Sequence, residues 1–136
     1  MIERFVIAII FLGICFSLYK AITHYQLKHI QKQQAQDPII QGLQKGIPAI
    51  VYFTTPGCMP CKTQQKPALN NLVSEWGNQL QIVEIDASLD LDSANRWGVL
   101  SAPTTFILNQ YGKAVAVNNG VASSDKLSLQ LKQAMV

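Results

Sequence analysis

The sequence predicts an α/β domain, a central mixed β-sheet flanked by helices, preceded by an N-terminal transmembrane helix. Three observations carry this reading. An uncharged apolar run occupies residues Phe5 to Tyr19. From residue 47 an apolar β-branched run, an amphipathic helical segment and a second strand-like run follow one another as βαβ, which argues for parallel strands. Two further strand-like runs then meet across a tight polar loop before a last helix, which adds an antiparallel pair.

Ala21-Ile22 extends the opening apolar run past Lys20, whose long stem lets its ammonium reach the interface. The run meets the minimum length for a span, about 17 residues. It has no polar face that would mark a buried amphipathic helix. A cleaved secretory signal is the competing reading, but Ala21-Ile22-Thr23 matches a cleavage site poorly. Residues 1–22 therefore read as a retained anchor, with Cys15 an inert apolar residue inside it.

Residues 23–44 carry Gln26, Gln31, Gln33, Gln34, Gln36, Gln41 and Gln44. So polar a segment is expected to bury little and to serve as a stalk. Its first half continues the membrane helix, and Asp37-Pro38 ends it. His24 and His29, five apart, do not share a helical face and read as solvated.

Residues 45–136 make up the expected domain. Ile47 to Thr54 is a strand buried on both faces. Lys62 to Trp76 is a helix with Leu69, Leu72, Val73 and Trp76 on one face, stopped by Gly77-Asn78. Leu80 to Ile85 is the second strand, Leu89 to Trp97 a short helix or turn ended by Gly98, and Pro103 to Leu108 the third strand. Asn109 to Gly112 forms a hairpin loop leading to a fourth strand, Ala114 to Asn118. Ser123 to Ala134 closes as an amphipathic helix capped by Ser123 or Ser124, with Leu127, Leu129 and Leu131 among its apolar positions.

Composition narrows the function. The formal charge is +3, with four basic residues against two acidic before Lys45 and seven against six from there on. The domain is thus close to neutral and lacks the basic stripe of a nucleic-acid binder. Three cysteines are too few for a scaffold held by disulfides. Two of them lie three apart in Gly57-Cys58-Met59-Pro60-Cys61-Lys62, where the first strand gives way to a helix. With Cys58 at the helix start and Cys61 one turn in, the side chains fall near one face. They can close a small disulfide, or bind a metal together with other ligands.

The context of this pair is similar to a known one. Glu84-Ile85-Asp86 ends the second strand, and Ser101-Ala102-Pro103-Thr104 opens the third about forty residues after the cysteines. With these motifs and their flanking elements, residues 45 to 135 resemble the thioredoxin family. The resemblance implies a thiol–disulfide oxidoreductase with a thioredoxin-like fold.

The chemistry also follows from the residues. Thiolate, not thiol, attacks a disulfide, and a cysteine at a helix start faces unpaired N–H groups and the positive end of the macrodipole. Cys58 is therefore the expected nucleophile and Cys61, shielded one turn in, the resolving thiol. Pro60 suits the first helical turn, and Gly57 with Pro56 shapes the preceding one. Met59 cannot donate to the thiolate as a histidine there would, so the expected potential is on the order of −200 to −270 mV. By resemblance Pro103 is a cis-proline that frees the backbone of Ala102 to pair with an extended substrate segment. Ala102, Pro103 and Gly120 would then line the substrate groove, beside Gly57, Met59 and Pro60.

Several positions depart from the family's pattern. Tyr52 stands where many members have a buried aspartate that accepts the resolving cysteine's proton. Thr54 and Gly57 replace aromatics, and Pro67, similar to the family's helix-kinking proline, comes one residue late. Glu84 is the expected substitute acceptor: half-buried behind Cys61, its carboxyl would be pushed up by desolvation toward the range of a general base.

A metal-delivery module lacks ligands, since both histidines lie in the stalk, and a structural zinc site needs two more than the pair supplies; no metal is expected. A tethered binding module with an inert disulfide is the remaining alternative. The expected partners are protein disulfide or dithiol substrates and a second dithiol that regenerates the pair, with the membrane held through residues 5–22. No bound cofactor is expected, and the chain is expected to be a monomer. Lys20, Lys28 and Lys32 after the span, against Arg4 before it, count toward a cytoplasmic domain. The short signal-like start, and by resemblance the usual placement of anchored relatives, favour an extracytoplasmic one, which is the expectation.

Overall fold

The computed structural model describes residues 1–33 and 36–136; Gln34 of the glutamine-rich run lies outside the described residues. Helix α1 (Ile2–Gln33) is followed by the short α2 (Pro38–Gln41), β1 (Ala49–Thr54), a π-helical stretch Cys61–Gln65 running into α3 (Lys66–Trp76), β2 (Gln81–Asp86), α4 (Leu91–Arg96), β3 (Thr104–Leu108), β4 (Ala114–Asn119) and α5 (Ser124–Ala134). The strand order is β2-β1-β3-β4. β1 is parallel to β2, while β3 is antiparallel to both β1 and β4. This is the mixed sheet the sequence predicts.

Side chains alternate across β1, so its apolar run feeds two cores. Val51 and Phe53 face one side with Trp97, Phe106, Leu108 and Val117. There the rings of Phe53, Trp97 and Phe106 pack with centroids 5.0 to 6.0 Å apart. Ile50 and Tyr52 face the other side with Leu69, Leu72, Ile107, Leu127 and Leu131 from α3, β3 and α5. Leu127 and Leu131 are four apart and turn inward together, whereas Leu129 points out and Val73 is half-exposed. Both were expected on the apolar faces; Leu129 lies two positions from each buried leucine and so falls off their face, whereas Val73, four after buried Leu69, shares its face and is only partly covered.

The glutamine-rich segment departs furthest from expectation. It does not stand clear of the domain as a stalk. Ile30 is buried, and Leu27, Ile39, Ile40 and Leu43 pack against the Phe53 core. Gln26 Nε2 donates to the Gly98 carbonyl (3.4 Å) and Gln31 Nε2 to that of Ala114 (2.8 Å). Asp37 caps α2 through Ile39 N, and its buried Oδ2 accepts from Trp97 Nε1 (3.0 Å) and Arg96 Nε (3.1 Å). Leu27 and Ile30, three apart, share one face of α1, and that face docks together with Ile39 and Ile40 of α2 and Leu43 beyond it.

Toward the N-terminus α1 leaves the domain. Residues 1–22 are exposed, and the helix is long and apolar enough to cross a membrane.

Candidate active site

Four chain segments meet at one end of the sheet. Register puts Thr54 beside Asp86, Phe53 beside Thr104, and Thr104 beside Asn119. The residues that follow β1 and β4, and those that precede β3, therefore converge. Cys58, Ala102 and Gly120 come from those three connections.

After Thr54 the chain turns, with Cys58 N donating to the Thr55 carbonyl (3.1 Å), and Met59 and Pro60 open the helix. Pro60 has φ −59°, the value its ring imposes and the first turn needs. Cys58 and Cys61 are disulfide-bonded with Cα atoms 5.3 Å apart. Cys61 N points at Cys58 Sγ (3.2 Å), so a backbone donor is in place to stabilise negative charge on that sulfur. Cys58 keeps 9% of its surface and Cys61 1%. Cys58 is thus the more accessible sulfur, although far less exposed than its position in a turn implied. Gly57, Met59 and Pro60 are exposed around it.

The Ala102–Pro103 peptide is cis. Gly120 N donates to the Pro103 carbonyl (2.8 Å), and Gly120 has φ +103°, a conformation open to glycine. Ala102 packs against the core that contains both cysteines.

Behind Cys61 lies a cleft of about 350 Å³ lined by Tyr52, Thr54, Lys66, Glu84 and Asp86 among others. Tyr52 Oη donates to the Cys61 carbonyl (3.4 Å). Burial, with the Glu84 charge adding to it against an opposing contribution from Thr54, pushes the Tyr52 phenol above its usual range. It is a neutral donor at working pH, and takes no proton from a thiol. The Ser88 hydroxyl holds Asp86 below the usual carboxylate range. Glu84 opens onto this cleft and is about half-buried. Its side chain is 46% exposed and Oε2 lies 3.5 Å from Lys66 Nζ.

Two features escaped the sequence. Lys66 N reaches back five residues to the Cys61 carbonyl, which makes Cys61–Gln65 a π turn. Such a turn inserts one residue into a helix. It accounts for Pro67 lying one place late, which was the signal available. Gln65, fully buried, then faces Ala122 in the loop after Gly120. Its Nε2 donates to the Ala122 carbonyl (3.1 Å), and Ala122 N donates to its Oε1 (2.8 Å). Nothing in the sequence distinguishes this glutamine from its exposed neighbour Gln64.

Comparison with known proteins places these features in context. The family model described as TraF, F plasmid transfer operon protein, matches residues 21–132. A Bacillus subtilis thioredoxin is 36% identical over 75 residues, covering 55% of this chain and 70% of the relative. A Haemophilus influenzae thioredoxin is 29% identical over 108 residues, or 79% and 96%. Among solved structures, a thioredoxin-2 described as a component of malaria parasite protein secretion machinery superposes with a TM-score of 0.61 at 22% identity. It covers 67% of this chain and 86% of its own. Chloroplastic thioredoxin z gives 0.59 at 21%, with 65% and 79% covered.

Proposed function

Because the chain belongs to the TraF family of thioredoxin-like proteins and is a thiol–disulfide oxidoreductase, we propose that it works as a membrane-anchored enzyme in which Cys58 is the nucleophile and Cys61 the resolving thiol. In the reduced protein the Cys58 thiolate attacks one sulfur of a substrate disulfide, forming a mixed disulfide and expelling the other substrate sulfur as thiolate. The Cys61 thiolate then attacks Cys58 Sγ, which closes the internal disulfide and releases the second substrate thiol. Two electrons pass from the dithiol to the substrate, and an external dithiol restores the pair.

The observation that carries this reading is the amide of Cys61 aimed at Cys58 Sγ, on the more accessible of the two sulfurs. Ala102, Pro103 and Gly120, with Gly57, Met59 and Pro60, form the surface that receives the substrate segment. Glu84 takes the Cys61 proton through solvent in the cleft, not as a buried base. Residues 5–22 cross the membrane, the folded unit begins near Gln26, and the domain lies on the extracytoplasmic side. Insulin disulfide reduction tests the assignment: Cys58→Ser should abolish turnover, and a variant that retains it would contradict Cys58 as the nucleophile of a dithiol cycle. A reporter fused after Val136 that is active only in the cytoplasm would reverse the topology.

A further inference from the structure

The direction in which α1 crosses the sheet bears on where the disulfide sits relative to the membrane. Thr54, Asp86, Thr104 and Asn119 mark the redox end of the four strands, and Ala49, Gln81, Leu108 and Ala114 the opposite end. α1 touches both. Gln31 Nε2 binds the carbonyl of Ala114, at the far end of β4. Gln26, five residues nearer the N-terminus, accepts from Asn119 Nδ2 (3.3 Å) and donates to the Gly98 carbonyl, at the redox end. Followed toward its membrane-spanning residues, the helix therefore advances from the far end of the sheet to the end that carries Cys58. Gln26 lies only four positions after Ile22, about 6 Å of helix rise.

A second observation is independent of the helix. The connections at the redox end expose Met59 (63%), Leu89 (85%), Leu91 (63%), Leu100 (85%) and Val121 (43%). These come from four different segments and share only their end of the sheet. The charged residues among them are Lys62 and Lys66 against Glu84, Asp86, Asp90 and Asp92, a local excess of two negative charges, so contact with lipid rests on the apolar side chains and not on attraction to anionic headgroups.

We propose that the redox end of the domain faces the bilayer and rests its apolar rim on the lipid surface. The inference rests on the anchored reading above. The tether supplies a high local concentration, so an individually weak apolar contact is enough to hold the orientation. Docking of α1 through Leu27 and Ile30 keeps the domain from swinging freely about the helix. Exchange is then directed to disulfides presented at the membrane surface, and large soluble proteins are kept from Cys58.

The full chain with Cys15→Ser, its Cys58–Cys61 pair oxidised, takes a fluorescent label at Leu100→Cys or at Tyr111→Cys, the latter exposed in the far hairpin. Each is reconstituted into phosphatidylcholine vesicles carrying nitroxide headgroups. Flotation after an alkaline wash reads the anchor, and quenching reads the orientation. The expected result is that both proteins float and that the label at position 100 is quenched at least twofold more than that at 111. Floating protein with equal quenching, or stronger quenching at 111, overturns the orientation while leaving the anchor in place. Protein that stays at the bottom of the gradient overturns both.

Discussion

Gln65 and Ala122 are joined by two hydrogen bonds that run in opposite directions, from Gln65 Nε2 to the Ala122 carbonyl and from Ala122 N to Gln65 Oε1. The pair fastens the loop after Gly120 to the helix that carries both cysteines. Truncation by Gln65→Ala leaves a buried donor and a buried acceptor without partners, each worth about 1–3 kcal/mol. Urea denaturation should show a loss of roughly 2–4 kcal/mol. The KM for a peptide disulfide should rise, because the loop that lines the groove is released, while the thiolate formation of Cys58 is unchanged.

A second buried polar contact holds the linker. Asp37 Oδ2 receives Trp97 Nε1 and Arg96 Nε, and Trp97 is 2% exposed. Asp37→Ala strands the indole N–H in the core and removes a helix cap. The Arg96 side chain is 37% exposed, so part of its interaction is screened by solvent and a loss of about 2–3 kcal/mol is expected. Near-ultraviolet circular dichroism should lose the Trp97 contribution as residues 26–43 detach.

These two contacts mark where the sequence stops being readable. The βαβ and ββα units are legible because period-2 and helical patterns report burial directly, as in the Ala49–Thr54 run and the Leu69–Leu72 face. The cysteine pair is legible because its spacing and flanking elements leave few chemistries. Gln65 and Asp37 are not, since a glutamine in a polar helix and an aspartate before a proline have solvated or capping roles in most settings. Their burial depends on partners 57 and 60 residues away. The ion pair of Glu84 with Lys66 is hidden for a related reason: strand pairing fixes its neighbour Tyr52, but not which residue of the following helix reaches it.

Tyr52 gives a pH dependence with a definite sign. Its phenol is raised above the ordinary value of about 10, chiefly by burial. The unfolded chain therefore loses this proton first as pH rises, so the folded state binds more protons and stability falls above about pH 10. Below that pH the contribution is fully present. Chemical denaturation from pH 8 to 11 should show a shallower alkaline decline for Tyr52→Phe than for the wild type. Parallel declines would show that Tyr52 does not titrate between the two states.

Glu84 is expected to matter for the second chemical step only. Since it is solvated and paired with Lys66, Glu84→Gln should slow resolution of the mixed disulfide on the order of tenfold, below the 10²–10⁴ typical of a well-placed general base. Stopped-flow measurement across pH separates this from the attack step. An unchanged rate and pH profile would remove Glu84 from the proton route.

The division of labour between the two sulfurs is tested most directly by trapping. Cys61→Ser, reduced and mixed with a peptide disulfide, should accumulate a mixed disulfide that mass spectrometry places on Cys58, because the thiol that would release the substrate is gone. Cys58→Ser should accumulate none on Cys61. A stable adduct on Cys61 in that second variant, with none on Cys58 in the first, would contradict the account.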